Sequence, residues 1–463
     1  MAAAHDMVAE TRFVADWVVD RCRPAYGPHG GLTLLGPEGE LHDSAAALRD
    51  LPSTHPGLGP YRRLVAGVHR HGGDQGGLAL LLAAGVVQRA HRAMDEGVPR
   101  AAILEGLTLA VRQLRVWLPA QARACTPEDA LAAADPADWR AEVLAGLERL
   151  VADGRLELDQ VDIRGEDGPV WQDGLHIDLH GDGPRSDAKV LLLDEGPRRR
   201  LTQDAFRSFQ GDHELALDST WLAQVERLGA TVVLVSKSLG ELRGRLATRM
   251  FVADDVPKDV RRRIEVATGA QPVARIEEAS SADLGRADLE AMPPRIGGHR
   301  LHGPGPGATF CVGRRGEVLN GLWRDRAERF LRAAGLALAD PRALPGGGRW
   351  QRHARDALLR MVDLAPGKAG YGIRVVAQAL EDVVDALLTN AGRDPLDGGV
   401  LDEVSDSAPA VEHAVAAALE VATSLLRVDG RLSKKASTGV DLRGGTGKAG
   451  SPKGMPGDIP PLM

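Results

Sequence analysis

The chain has 463 residues, 43% hydrophobic but only 3% aromatic, and a formal net charge of −7. Such a length predicts two to four units with cores of Leu, Val and Ala, and the acidic balance argues against nucleic acid as an obligatory partner, since phosphate neutralisation needs a basic face. Cys22, Cys125 and Cys311 are widely spaced thiols without a CxxC pair, which suits a reducing cytoplasm and gives no zinc motif.

No apolar run reaches the length of a bilayer span, and Asp6, Glu10 and Asp16 stand where a signal peptide needs a basic start. Neither a membrane nor secretion is therefore expected. From Glu10 to Cys22 the spacing of Phe13, Trp17, Val18 and Arg21 predicts a helix that stops before Pro24. A glycine corner follows, Gly27-Pro28-His29-Gly30-Gly31. Leu32 to Leu35 and Leu41, around Gly36-Pro37-Glu38-Gly39, read as a hairpin. A second corner, Gly72-Gly73-Asp74-Gln75-Gly76-Gly77, opens into a helix over Leu78 to Met94. Such a turn gathers backbone N–H groups on an anion with the helix dipole behind them, and its aspartate could hold a metal that phosphates share. Pro99 is placed at the first helical position of the next helix, with Ile103, Leu107, Ala110, Leu114 and Leu118 on one face.

A helix is expected over Asp138 to Val151, and near Gly165 the texture changes. Val170 to Leu179, Val190 to Leu193 and Thr231 to Val235 are β-rich, and they alternate with helical stretches at Ser219 to Leu228 and Val260 to Thr268. That alternation predicts an α/β unit with a partly parallel sheet. From Leu322 the pattern is helical again, apart from Pro345-Gly346-Gly347-Gly348. Ser433 to Met463 is Gly-, Pro- and Lys-rich without periodicity, so disorder is expected there.

Helix, α/β insert and helix in that order resemble a group II chaperonin of the thermosome type. The two glycine corners carry the likeness, and so do Asp95-Glu96-Gly97-Val98-Pro99, Gly229-Ala230-Thr231-Val232-Val233, Ala267-Thr268-Gly269-Ala270, Asn390-Ala391-Gly392-Arg393-Asp394-Pro395 and Leu426-Arg427-Val428-Asp429. The resemblance implies a multidomain α and α/β fold with six segments. Residues 1–118 and 345–432 would form a discontinuous equatorial domain, and 119–169 with 305–344 a compressed intermediate hinge. Residues 170–304 would be the apical domain and 433–463 a tail. It further implies an ATP-binding chaperone of protein clients, working as a homo-oligomeric ring in the cytoplasm.

The implied cofactor is ATP or ADP with Mg. It would be held by Gly27, Pro28, Gly30, Gly73, Asp74, Gln75, Gly76, Gly77 and Gly347, with Asp74 on the metal and Asp43 at the second acidic position. The chain departs from the family at the chemistry. Its second corner reads Gly-Asp-Gln-Gly-Gly where the family has Gly-Asp-Gly-Thr-Thr, and Ser44 replaces a glycine after Asp43. Glu328-Arg329-Phe330-Leu331-Arg332-Ala333 puts Ala333 where the resemblance implies the carboxylate that activates water. Asp325 and Asp340 are out of register for that role. Arg349 and Trp350 stand where the family has small residues, and the segment from Val404 to Pro409 is short for its adenine-facing loop. These losses imply weak or absent ATP hydrolysis. An active ATPase rebuilt on Asp43, Asp74 and Asp340, or a non-catalytic scaffold subunit, are the alternatives.

Plainer readings stand beside these. Gly73-Asp74 can be a simple helix cap. His176, Asp178 and His180 alternate along one strand face and could ligate a metal, though a solvated face is the commoner meaning. Arg198-Arg199-Arg200 and Arg261-Arg262-Arg263 read as solvated charge runs. Gly444-Gly445-Thr446-Gly447-Lys448 only imitates a phosphate-binding loop. Client binding is assigned to apolar residues on the apical helices and to the segment between Asp194 and Ser219.

Overall fold

The computed structural model describes residues 7–27, 32–35, 40–43, 45, 57–73, 75–132, 139–150, 158–165, 168–181, 183–196, 220–293, 298–313, 320–395, 401 and 404–428. Pro28, Gly30 and Asp74 lie outside them, as do the Arg198–Arg200 run, the Gly444–Lys448 segment and the tail.

One helical core draws on both ends of the chain. Helices Met7–Cys22, Leu58–Gly72, Gly76–Asp95 and Arg100–Gln121 pack with Arg349–Val362, Ala369–Asn390 and Ala408–Leu425. Gly76–Asp95 is buried continuously from Leu78 to Val87, as a central helix apolar on every side must be. Helix Leu58–Gly72 was not foreseen, although Leu58, Tyr61, Leu64, Val65 and Val68 repeat at helical spacing and are buried. The first helix forms as its spacing predicts, and one expectation, the place of Pro99, needs correction. Helix Met7–Cys22 buries Thr11, Val14, Ala15, Val18 and Cys22, while Phe13 is 64% exposed. Phe13, Trp17 and Arg21 form a neighbouring row one residue round the helix, with the Arg21 guanidinium 5.7 Å over the Trp17 ring. Pro99 is the N-cap, one residue outside the helix.

The hinge unit is a three-stranded sheet in which Ala308–Val312 lies between Val161–Gly165, parallel, and Val170–Asp173, antiparallel. Helices Arg140–Leu150 and Asn320–Ala339 cover it. Here the scarce aromatics gather: Trp139 lies 5.5 Å from Phe310, 5.9 Å from Phe330 and 6.0 Å from Trp323. The run from Val170 to Leu179 is thus two strands in two sheets, broken at Gly174, whose φ is +92°. Val170 pairs with Cys311, and the crossing into the insert is closed by the Gly174 N–H donating to the Gly307 carbonyl at 2.9 Å.

The insert is a six-stranded mixed sheet. In spatial order its strands are Leu175–Ile177, His299–His302, Gly285–Ala291, Arg185–Leu193, Val232–Val235 and Phe251–Ala253. The last three are mutually parallel and the first four antiparallel. Helix Lys258–Thr268 buries Ile264 and Ala267 on one face. Helices over 220–228 and Glu241–Ala247 bury Trp221, Val225, Leu242 and Leu246 on the other. Arg261 bonds Asp194 and Ser236, and Arg263 bonds Asp162 at 2.9 Å, so most of that basic run is structural. Among the described residues no helix is long and apolar enough to cross a membrane.

Candidate functional site

The second glycine corner sits where the helical domain meets the hinge. Gly73 has φ +74°, a conformation that favours glycine. A β-carbon there would lie 2.6 Å from the Arg329 carbonyl and 2.9 Å from the Ala333 methyl. Ala333 is 6% exposed. The helix Asn320–Ala339 therefore lays Ala333 directly on the corner, and a methyl group occupies the contact. Gln75 is the N-cap of Gly76–Asp95 without a side-chain cap bond, and the Ala79 N–H bonds its carbonyl at 3.0 Å. Gly76 backs onto the buried His69 ring and Ala45, and Gly77 onto the Tyr26 ring. The N–H groups of this helix's first turn stay unspent within the helix, which is what an anion requires.

The first corner packs on the end of helix Ala369–Asn390. A β-carbon on Gly27, φ +88°, would lie 2.6 Å from Leu387 Cδ1, and one on Gly348 would lie 3.8 Å from Leu387 Cδ2. Asn390 fixes this corner by donating at 2.7 Å to the carbonyls of both Arg23 and Tyr26. Asp43 ends strand Glu40–Asp43, opposite Leu32, in a strand that lies against helix Asn320–Ala339. Gly73, Gly76 and Gly77 thus meet at the start of one helix, where Gly77 lies against the Tyr26 ring, next in sequence to Gly27, and Gly76 against Ala45, two residues after Asp43.

Gly347 is different. The Leu401 N–H bonds its carbonyl at 2.9 Å, and the Leu401 carbonyl fills the space a β-carbon would take. Arg349 donates at 3.1 Å to the carbonyls of Gly346 and Val404, while Trp350 Nε1 donates to Asp406 at 2.8 Å. The glycine turn is closed by the chain's own side chains. Burial pushes the enclosed Asp406 carboxyl up to about 6, against the pull of the Trp350 N–H and Arg349. Sequence reasoning missed Asp406, because nothing local marks a carboxylate whose partner lies 56 residues away.

Asp340 is committed elsewhere. Arg342 bonds both its oxygens at 2.7 Å and reaches Glu412 at 3.0 Å, and the hydrogen bond from Arg342 holds the Asp340 carboxyl below its ordinary range. Asp325 pairs with Arg329 one turn along its own helix. His176, Asp178 and His180 form no chelate, and the described residues contain no group of three or more His, Cys, Asp or Glu that could hold a metal. A cleft of about 870 Å³ opens between hinge and insert, lined by Asp162, Arg164, Asp254, Arg263, Asp325 and Arg332. Its walls are tied by the Arg263–Asp162 pair and by Arg164, which donates at 2.6 Å to the His176 carbonyl.

For Mg-ATP the fit is divided. The helix start and its glycines suit phosphates, while Asp74, the metal candidate of the sequence, lies outside the described residues. The 346–348 turn offers a base and ribose little room, with Leu401, Arg349 and Trp350 already bonded across it.

Comparison with known proteins bears on the whole arrangement. The model of the TCP-1/cpn60 chaperonin family matches residues 204–400. The chain is 25% identical to thermosome subunit beta of Aeropyrum pernix, over 81% of this chain and 77% of that protein. It is 24% identical to thermosome subunit alpha of Thermoplasma acidophilum, over 95% of this chain and 94% of that protein. In fold it is similar to a group III chaperonin solved in the open state, with a TM-score of 0.70 and 20% identity, covering 92% of this chain and 98% of that one.

Proposed function

This chain belongs to the chaperonin family, and we propose that it holds protein clients or a dedicated partner while hydrolysing ATP weakly or not at all. The carrying observation is the meeting of Ala333 with Gly73. Water attacking a terminal phosphate needs a carboxylate to orient or deprotonate it, and loss of a general base costs about 100- to 10,000-fold in rate. Asp340, bound to Arg342, is a poor substitute. The closed 346–348 turn supports the same reading by weakening the hold on the nucleotide itself. Cytoplasmic work suits three cysteines that are all free thiols, and a homo-oligomeric ring is the assembly this reading takes.

Phosphate release by the purified protein tests it. Background turnover is expected, unchanged by Asp74→Ala. Turnover at rates typical of chaperonins, abolished by that substitution, would reject the reading and favour a rebuilt ATPase. Calorimetry with magnesium and nucleotide separates lost hydrolysis from lost binding.

A further inference from the structure

Beside the second glycine corner stands a pair of histidines that the proposed function does not use. Helix Leu58–Gly72 ends against helix Ala408–Leu425, where a β-carbon on Gly72 would lie 3.5 Å from the Ala410 Cα. His71 is the residue before Gly72, and His413 stands three residues after Ala410, on the same helix face. Their rings meet across this contact, 5.0 Å from centre to centre and inclined at 61°. His71 is exposed and His413 half-buried, so the pair opens to solvent.

A contact between two rings is by itself ordinary packing, but this one has the features of a ligand pair. The His413 ring donates from one nitrogen to the Gly67 carbonyl, one turn before His71. That bond fixes the tautomer and leaves the other nitrogen of the neutral ring with its lone pair, the support that metal-bound imidazoles commonly have. Burial and the neighbouring His71 hold the His413 pKa below its ordinary value, so the ring is neutral at pH 7. Among the described residues His71 has no hydrogen-bond or ion-pair partner. The nearby carboxylates are already engaged: Glu412 pairs with Arg342 at 3.0 Å, and Glu328 with Arg332 at 3.2 Å. Two imidazoles on one tetrahedral Zn²⁺, with nitrogens about 2.0–2.1 Å from the metal, place their ring centres about 5 Å apart.

We propose that His71 and His413 bind a divalent transition metal of the Zn²⁺ class, each through one imidazole nitrogen, with water in the remaining positions. Imidazole suits such ions, whereas Mg²⁺ prefers oxygen ligands, so the site is separate from the metal that a nucleotide would bring. A bound ion would pin the last turn before Gly73 to helix Ala408–Leu425. The inference depends neither on client binding nor on ATP hydrolysis.

Full-length protein, freed of metal with a chelator and dialysed, is titrated with Zn²⁺ by calorimetry in the presence of excess Mg²⁺. One Zn²⁺ per chain is expected to bind. His71→Ala and His413→Gln should each weaken it at least about tenfold, the glutamine keeping a donor for the Gly67 carbonyl. Circular dichroism checks that both variants fold; His71 is exposed, so His71→Ala carries the test should His413→Gln fail to fold. No binding up to about 0.1 mM Zn²⁺, or binding that is unchanged in His71→Ala, would overturn the assignment. Displacement of the bound Zn²⁺ by Mg²⁺ would overturn it equally, since an oxygen-ligand site would then be responsible.

Discussion

At the scale of single residues, Asp406 makes the plainest prediction. Its carboxyl stands near 6 in the folded protein, because burial disfavours the charge. A carboxyl raised on folding binds its proton more tightly in the native state. Its contribution to stability is therefore greatest below about pH 4 and is lost as pH rises through 6. The cost at pH 7 is on the order of 1–3 kcal/mol. Asp406→Asn removes the charge while its amide oxygen can still accept from Trp350 Nε1. Urea unfolding should show the variant more stable at pH 7 and little changed at pH 4; equal destabilisation at both would mean that the ionised carboxylate is itself what the site needs. This residue also marks a limit of sequence. Ala333 could be singled out in advance because a missing carboxylate is visible in a helix whose register is known. The Asp406–Trp350 bond could not, since its two partners share no local pattern.

Among the elements, what was legible followed periodicity, and what was not depended on neighbours. The hairpin strands and the helices from Gly76 and Arg100 were readable because apolar spacing and turn residues agreed. Helix Leu58–Gly72 was obscured by Gly57-Leu58-Gly59-Pro60, which looks like a turn. Helix Met7–Cys22 offers two rows at the same spacing, and only its packing selects Val14, Val18 and Cys22 as the buried one. The division of 170–179 between two sheets lies in pairing alone. Close helix packing was equally hidden. At Gly106 an added β-carbon would lie 2.6 Å from the Gly372 Cα and 2.8 Å from the Ile373 nitrogen, so helices Arg100–Gln121 and Ala369–Asn390 cross with their backbones touching. Gly372→Ala should force them apart. Overpacking of this kind costs about 1–3 kcal/mol, more than the helix propensity that alanine returns. Chemical denaturation measures the balance, and a net gain in stability would show that the crossing yields easily.

For the molecule as a whole, the cores decide which pieces can fold alone. The helical core is shared between residues 14–118 and 344–426, so neither part can bury its apolar surface without the other. Both cores of the insert, by contrast, are made only from residues between Leu175 and Leu301. The two ends of the insert meet at the Gly174–Gly307 hydrogen bond, 2.9 Å long, so a short link can replace what lies between. The cut would sever Arg263–Asp162, the reach of Arg164 to His176 and Asp178, the 2.8 Å bond from Arg300 to Gln172 and the 3.0 Å bond from the His176 N–H to the Thr309 hydroxyl; partly exposed ion pairs contribute only about 0–1 kcal/mol each and a single hydrogen bond about 0.5–1.5 kcal/mol. Residues 175–306 expressed alone should therefore give a cooperative thermal transition by circular dichroism. The remainder, with Gly174 joined to Gly307 through a brief Gly-Ser link, should keep its helical signal and unfold in one step, whereas residues 1–118 alone should not fold. An insert without a transition, or a residue 1–118 fragment that folds cooperatively by itself, would mean that the division drawn from the buried clusters is not the one the chain uses.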